Sequence, residues 1–198
     1  MRYPRRTLLL GAAATLTAAL AACSSTPSST APGMDHGMSS NTVATTAPDG
    51  RAGDVMFAQM MIPHHQQAVQ MAEIALAKQD VSGEVRELAE AIKQAQDPEI
   101  QTMTAWLAKW EASTTTGGMD HGSADSGMMS QADMEALEQA AGKAFDEQWV
   151  SMMIAHHEGA VDMANEVLAT TQDSEVRALA NAVVKAQTEE IVTMKAMR

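Results

Sequence analysis

Met60-Met61-Ile62-Pro63-His64-His65 returns later in the chain as Met152-Met153-Ile154-Ala155-His156-His157. The correspondence continues through Ala68-Val69 with Ala160-Val161, Met71-Ala72 with Met163-Ala164, and Leu76 with Leu168. One residue then drops out. Beyond it, Glu84-Val85-Arg86 matches Glu175-Val176-Arg177, Ala95-Gln96 matches Ala186-Gln187, and Ile100, Thr102 and Met103 match Ile191, Thr193 and Met194. Upstream, Asp54 matches Asp146 and Phe57 matches Trp149. The chain therefore carries an internal duplication, and the fold follows from what one copy can form.

Each copy reads as two helices. Met60, His64, Ala68, Met71 and Ala75 recur at three- and four-residue spacing, while Gln59, Gln66, Gln70 and Glu73 fall on the other side, the pattern of an amphipathic helix. Ala, Glu, Gln, Lys, Leu and Met dominate, all good helix formers, and no window alternates like a strand. Asp80 to Gly83 separates the first pair of helices and Gln172-Asp173-Ser174 the second, with Ser174 as the expected N-cap. Pro63 should kink or restart the first helix, and Asp97-Pro98 should interrupt the second. Two tandem helical hairpins give an all-α fold, an antiparallel four-helix bundle with pseudo-two-fold symmetry.

The 198 residues are 45% hydrophobic and carry a formal charge of −12, from 13 Lys+Arg and 25 Asp+Glu. Such an acidic chain repels phosphate backbones and attracts cations, which argues against nucleic acid as a partner. Arg2, Arg5 and Arg6 precede an apolar run from Thr7 to Ala22 that ends in Leu20-Ala21-Ala22-Cys23. The run is short for a membrane span and suits a signal peptide at residues 1–22, and its end resembles a bacterial lipobox. In that pattern Cys23 is lipidated and anchors the mature protein to a membrane outside the cytoplasm. Without the three leader arginines, the 13 basic residues become 10 against 25 acidic, and the charge goes from −12 to −15. Cys23 is the single cysteine, so a soft-metal site in this compartment must use Met and His.

Residues 23–53 are rich in Ser, Thr, Ala and Pro and read as a flexible tether. The expected helical domain is 54–198, made of repeat one at 54–112, a loop at 113–130 and repeat two at 131–198.

All six histidines stand near methionine among the 17 Met of the chain. Residues four apart share a helix face, so the repeated string encodes Met60 with His64, Met61 with His65, Met152 with His156, and Met153 with His157. Met71 and Met163 lie two turns further along. Thioether and imidazole together suit Cu(I), and Ag(I) by the same softness, whereas Mg²⁺ and Ca²⁺ prefer oxygen. Adjacent histidines on a helix diverge by about 100° and serve different directions. His64 and His156 lie nearer the middle of the apolar stripe and should be buried, with His65 and His157 reaching solvent or a second ion. The competing reading is that Met at helical spacing fills a core. Met34-Asp35-His36-Gly37-Met38 and Met119-Asp120-His121-Gly122, the latter followed by Met128 and Met129, form a second, flexible set of candidate ligands. Asp54 and Asp146 read as helix N-caps or as carboxylates orienting a histidine.

The doubled Met-Ile-x-His-His-x-x-Ala-Val-x-Met-Ala pattern, after an Asp and an aromatic, resembles the bacterial "domain of unknown function 305" family over about Asp54 to Arg198. The resemblance implies a ferritin-like four-helix bundle and an exported copper-binding role linked to copper and silver resistance. It makes His64, His65, His156 and His157, with their paired methionines, the expected ligands. Copper sequestration, or delivery to a metal-exchange protein, without catalysis is thus the leading reading. A ferritin-like metal-dependent oxidase is a second, although the Glu-x-x-His pairs of di-iron bundles are missing. A non-catalytic scaffold or Met-rich oxidant sensor is a third.

Overall fold

The computed structural model describes residues 50–115 and 127–198. The expected signal peptide and Cys23 lie outside the described residues. Within them are five helices and no strand: α1 (Gly50–Ala77), α2 (Gly83–Lys109), α3 (Gln131–Gln139), α4 (Gly142–Thr170) and α5 (Ser174–Ala196). The four long helices form the antiparallel bundle. Helices α1 and α2 make one hairpin, α4 and α5 the other, and α1 packs along α4. The C-terminal half of α1 (Ala68 to Ala75) shares an apolar cluster with the N-terminal half of α4 (Phe145 to Ile154). At the opposite end Gly53 of α1 faces Thr170 of α4, so the two run antiparallel.

Local chemistry sets the helix ends. Ser82 caps α2 by accepting the Val85 N–H. Asp173, not Ser174, caps α5, accepting the Glu175 and Val176 N–H groups; Ser174 is its first helical residue, because the longer Asp side chain one position earlier reaches two free donors. The repeated arginine closes each hairpin. Arg86 donates to the carbonyls of Leu76 (3.1 Å) and Lys78 at the end of α1, and Arg177 donates to Thr171 at the end of α4. Asp146 lies inside α4 and accepts the Ser82 N–H at 3.1 Å, so it ties α4 to the start of α2 and neither caps a helix nor orients a histidine. Asp54 likewise lies inside α1 and is buried.

Neither proline breaks its helix: α1 runs through Pro63 and α2 through Pro98. Both are exposed, on the solvent side of their helices, where a missing N–H is tolerated best. The short α3 is an addition to the two-hairpin scheme. Ser130 and Asp133 form a reciprocal capping box at its start, and Met134 and Leu137 sink into the core.

The core comes in two parts. One holds Ala68, Met71, Ile92, Phe145, Trp149, Met153 and Met194, and the other Phe57, Met61, Met103, Leu107, Ala164 and Val183, among others. Each long helix contributes to both, and in each the switch falls on polar residues: His64-His65, Gln96 to Glu99, His156-His157, and Gln187 to Glu190. A polar layer therefore crosses the middle of the bundle.

Trp149 anchors the first cluster. It is fully buried, with its indole N–H donating to the Met71 carbonyl at 2.9 Å. Replacing it with Ala should lower unfolding free energy in urea by about 3–5 kcal/mol. Trp149→Phe, which keeps most of the ring area, should cost less; equal losses would show that the ring does not carry this cluster.

Candidate metal centre

The histidines of each repeat are consecutive, so their rings leave the helix in different directions. His156 and His157 have ring centroids 6.4 Å apart and planes inclined by 56°. His156 turns toward α1 and meets His64 at 3.7 Å between centroids. His157 turns toward α5, where its Nε2 lies 2.7 Å from the Glu190 carboxylate. Repeat one does the same, with His65 Nε2 at 2.8 Å from Glu99 of α2. The layer thus has two-fold character: a central imidazole pair shared by α1 and α4, flanked by one imidazole–carboxylate pair in each hairpin.

All four histidines are 0–1% exposed. The expectation that His65 and His157 reach solvent is overturned, because α2 and α5 cover that flank. Glu99 and Glu190, with 20% of their side-chain surface exposed, reach the surface in their place. A carboxylate only accepts, so each Nε2 carries the proton of its hydrogen bond. Both Nδ1 atoms are buried with no protein hydrogen-bond partner. Neither ring nitrogen of His156 makes a well-formed bond either. Gln96 and Gln187 border the layer with buried, unpartnered side-chain oxygens. An unsatisfied buried polar group costs about 1–3 kcal/mol, so this layer is expensive in stability. A buried carboxylate–imidazole pair with a free second nitrogen is the arrangement that orients a metal-binding histidine.

Burial, followed by the nearby charges of His64, His157 and His65, holds His156 well below the usual imidazole range; the His64 main chain opposes this weakly. His156 is therefore a neutral donor at neutral pH.

The methionines distribute around this layer. Met61 lies wholly buried in one apolar cluster, and Met71, Met152 and Met153 lie in the other. Met60 and Met163 are only partly buried and line a groove at the surface of α1 and α4. Met128 and Met129 are also partly buried. The Met129 main chain is held by Gln67, which accepts its N–H at 2.7 Å and donates to its carbonyl at 2.9 Å. Just before them, Gly127 has φ +73° and rests on α4, where a Cβ would sit 2.2 Å from the Ala155 carbonyl oxygen, so only glycine fits. Met34, His36, Met38, Met119, His121 and Cys23 lie outside the described residues.

Glu99 and Glu190 were not foreseen from the sequence, nor was the role of Gln96 and Gln187. Their signal is the duplication itself: each Gln is followed three residues later by Glu in both copies, which places the two on one helix face. Among the described residues no three His, Cys, Asp or Glu side chains form a ready metal-holding group.

The depressed proton affinity of His156 makes stability pH-dependent. Below pH 6.5 the unfolded chain protonates this residue and the folded chain does not. Its contribution is thus fully present above pH 6.5 and falls on acidification by up to about 1.4 kcal/mol per pH unit, until the folded-state value is reached. Urea unfolding between pH 5 and 8, with chelator present, should give a shallower acid slope for His156→Gln than for the unmodified chain. Equal slopes would mean that the buried ring takes up its proton in the folded state.

The Domain of unknown function (DUF305) family model matches residues 54–198. Among solved structures, a DUF305 fragment from Deinococcus radiodurans is 31% identical with a TM-score of 0.67, over 73% of this chain and 94% of that one. A Streptomyces coelicolor protein described as a secreted DUF305 protein is also 31% identical, with a TM-score of 0.67, over 73% of this chain and 89% of that one. CopM in its Cu(I)-bound form is 32% identical with a TM-score of 0.61, over 73% and 94% of the two chains. CopM has also been solved in Cu(II)-bound, Ag-bound and apo forms. No curated protein matches the chain. By sequence and by fold, the chain belongs to the DUF305 family.

Proposed function

We propose that this protein binds Cu(I), and Ag(I) by the same chemistry, in its buried imidazole layer, and that its role is sequestration or delivery of the ion outside the cytoplasm. One observation carries the reading: His65 and His157 each commit Nε2 to a carboxylate and keep a buried, unpartnered Nδ1. Imidazole nitrogens among buried thioethers favour a soft monovalent ion. Met61 and Met153, one turn before His65 and His157, are the sulfur donors nearest in sequence to them. The copper- and silver-bound forms of CopM support the choice of ion, and the secreted Streptomyces relative supports the location. In this reading Cys23 carries the lipid anchor and the tether is shorter than the sequence suggested, ending at residue 49 because α1 already begins at Gly50; Met34, His36, Met38, Met119, His121, Met128 and Met129 supply weaker, fast-exchanging contacts.

Anaerobic titration of the protein with Cu(I) against a chromophoric chelator, and with Ag(I) by calorimetry, tests the binding. His65→Leu combined with His157→Leu should abolish tight binding of both ions. Glu99→Gln combined with Glu190→Gln should weaken it by about 10–100-fold with the helical content unchanged. Undiminished binding by the histidine variant would overturn the proposal. Tight Fe²⁺ binding with oxygen consumption would favour the oxidase reading.

The anchor has its own test. The full-length chain expressed with export machinery should fractionate with membranes, and Cys23→Ser should release it into the soluble fraction. Membrane association unchanged by that substitution would rule the lipid anchor out.

A further inference from the structure

The buried layer raises the question of how an ion reaches it, and the two ends of the α1–α4 seam answer differently. At one end Met71 and Met152 lie in an apolar cluster that also contains Met134 and Leu137 of α3, with Met129 packed against it. That end is sealed. The equivalent positions at the other end, by the repeat, are Met163 and Met60, and they line an open groove of about 350 Å³ together with Met56.

Met56 is 49% exposed, one of two large hydrophobic side chains so exposed among the described residues. Filling a core does not account for it, and the second repeat has Gln148 at the matching position. Met56, Met60 and His64 follow one another at four-residue spacing along one face of α1. Met163 stands two turns beyond His156 on the facing helix. Exposure falls along this series, from Met56 through the partly buried Met60 and Met163 to the fully buried His64 and His156.

We propose that Met56, Met60 and Met163 form a separate all-thioether site for Cu(I) or Ag(I) at the mouth of the seam, through which the ion enters the imidazole layer. Three neutral thioethers hold a soft monovalent ion without deprotonation and reject Mg²⁺ and Ca²⁺. Glu166 also lines the groove, and the acidic surface raises the local cation concentration. Entry is from one end of the molecule only. Capture at the groove stands independently of the buried site, whereas the onward transfer rests on the function proposed above.

The test is silver nitrate titration, in chloride-free buffer, of the full chain labelled with ¹³C at the methionine methyls, with imidazole signals recorded in parallel. The expected result is that the methyl signals of Met56, Met60 and Met163 shift at the first additions. Met56→Leu, Met60→Leu and Met163→Leu combined, a change that keeps side-chain volume, should lose one silver ion per chain and slow the appearance of the imidazole shifts. Met56→Gln alone, at an exposed position that the second repeat already fills with Gln, should weaken the groove site without affecting the fold. Imidazole shifts with the three methyls unmoved, or a triple variant with unchanged stoichiometry and uptake rate, would overturn the thioether site and leave the buried site standing. Methyl shifts without imidazole shifts would support the groove as a binding site and remove its role as an entrance.

Discussion

The arrangement of this bundle depends on two hydrogen bonds, from His65 Nε2 to Glu99 and from His157 Nε2 to Glu190. Each joins the two helices of one hairpin through a side chain that an apolar interior would otherwise exclude. Each also fixes the tautomer of a buried imidazole and so decides which nitrogen remains available. An apolar residue at these four positions would join the two core clusters into one and spare the bundle its unsatisfied polar atoms. In the function proposed above, the four buried histidines at mid-height are stability given up for a donor set. The central pair belongs to the same constraint, since His156, buried with its ring centroid 3.7 Å from that of His64, is held in its neutral form.

The repeat makes the bundle legible in the sequence, because two similar amphipathic hairpins have few ways to bury their apolar faces. The four histidines were legible for the same reason. Glu99 and Glu190 were not, since in a chain with 25 acidic residues a glutamate on a helix is ordinarily a solvated one. The burial of His65 and His157 was misjudged because a single helix's stripe says nothing about a second helix covering its flank. The prolines misled in the opposite sense: breakage was expected from the lost N–H, and exposure of Pro63 and Pro98 makes that loss tolerable. The extra helix α3 did announce itself, through Ser130 and Asp133 at capping-box spacing, but nine residues leave little periodicity to read.

The two hairpins place equivalent residues against one another about an axis that passes between His64 and His156, which is the geometry of a closed dimer joined into one chain. In a true homodimer any change to one end is made at both, so neither end can acquire a property that the other lacks. Covalent joining lifts that restriction. The segment leading into α4 can shut one mouth with Met129, Met134 and Leu137 while the other keeps its sulfurs in reach of water. Direction, in a molecule whose interior is nearly symmetric, is thus a property of the connection between its halves.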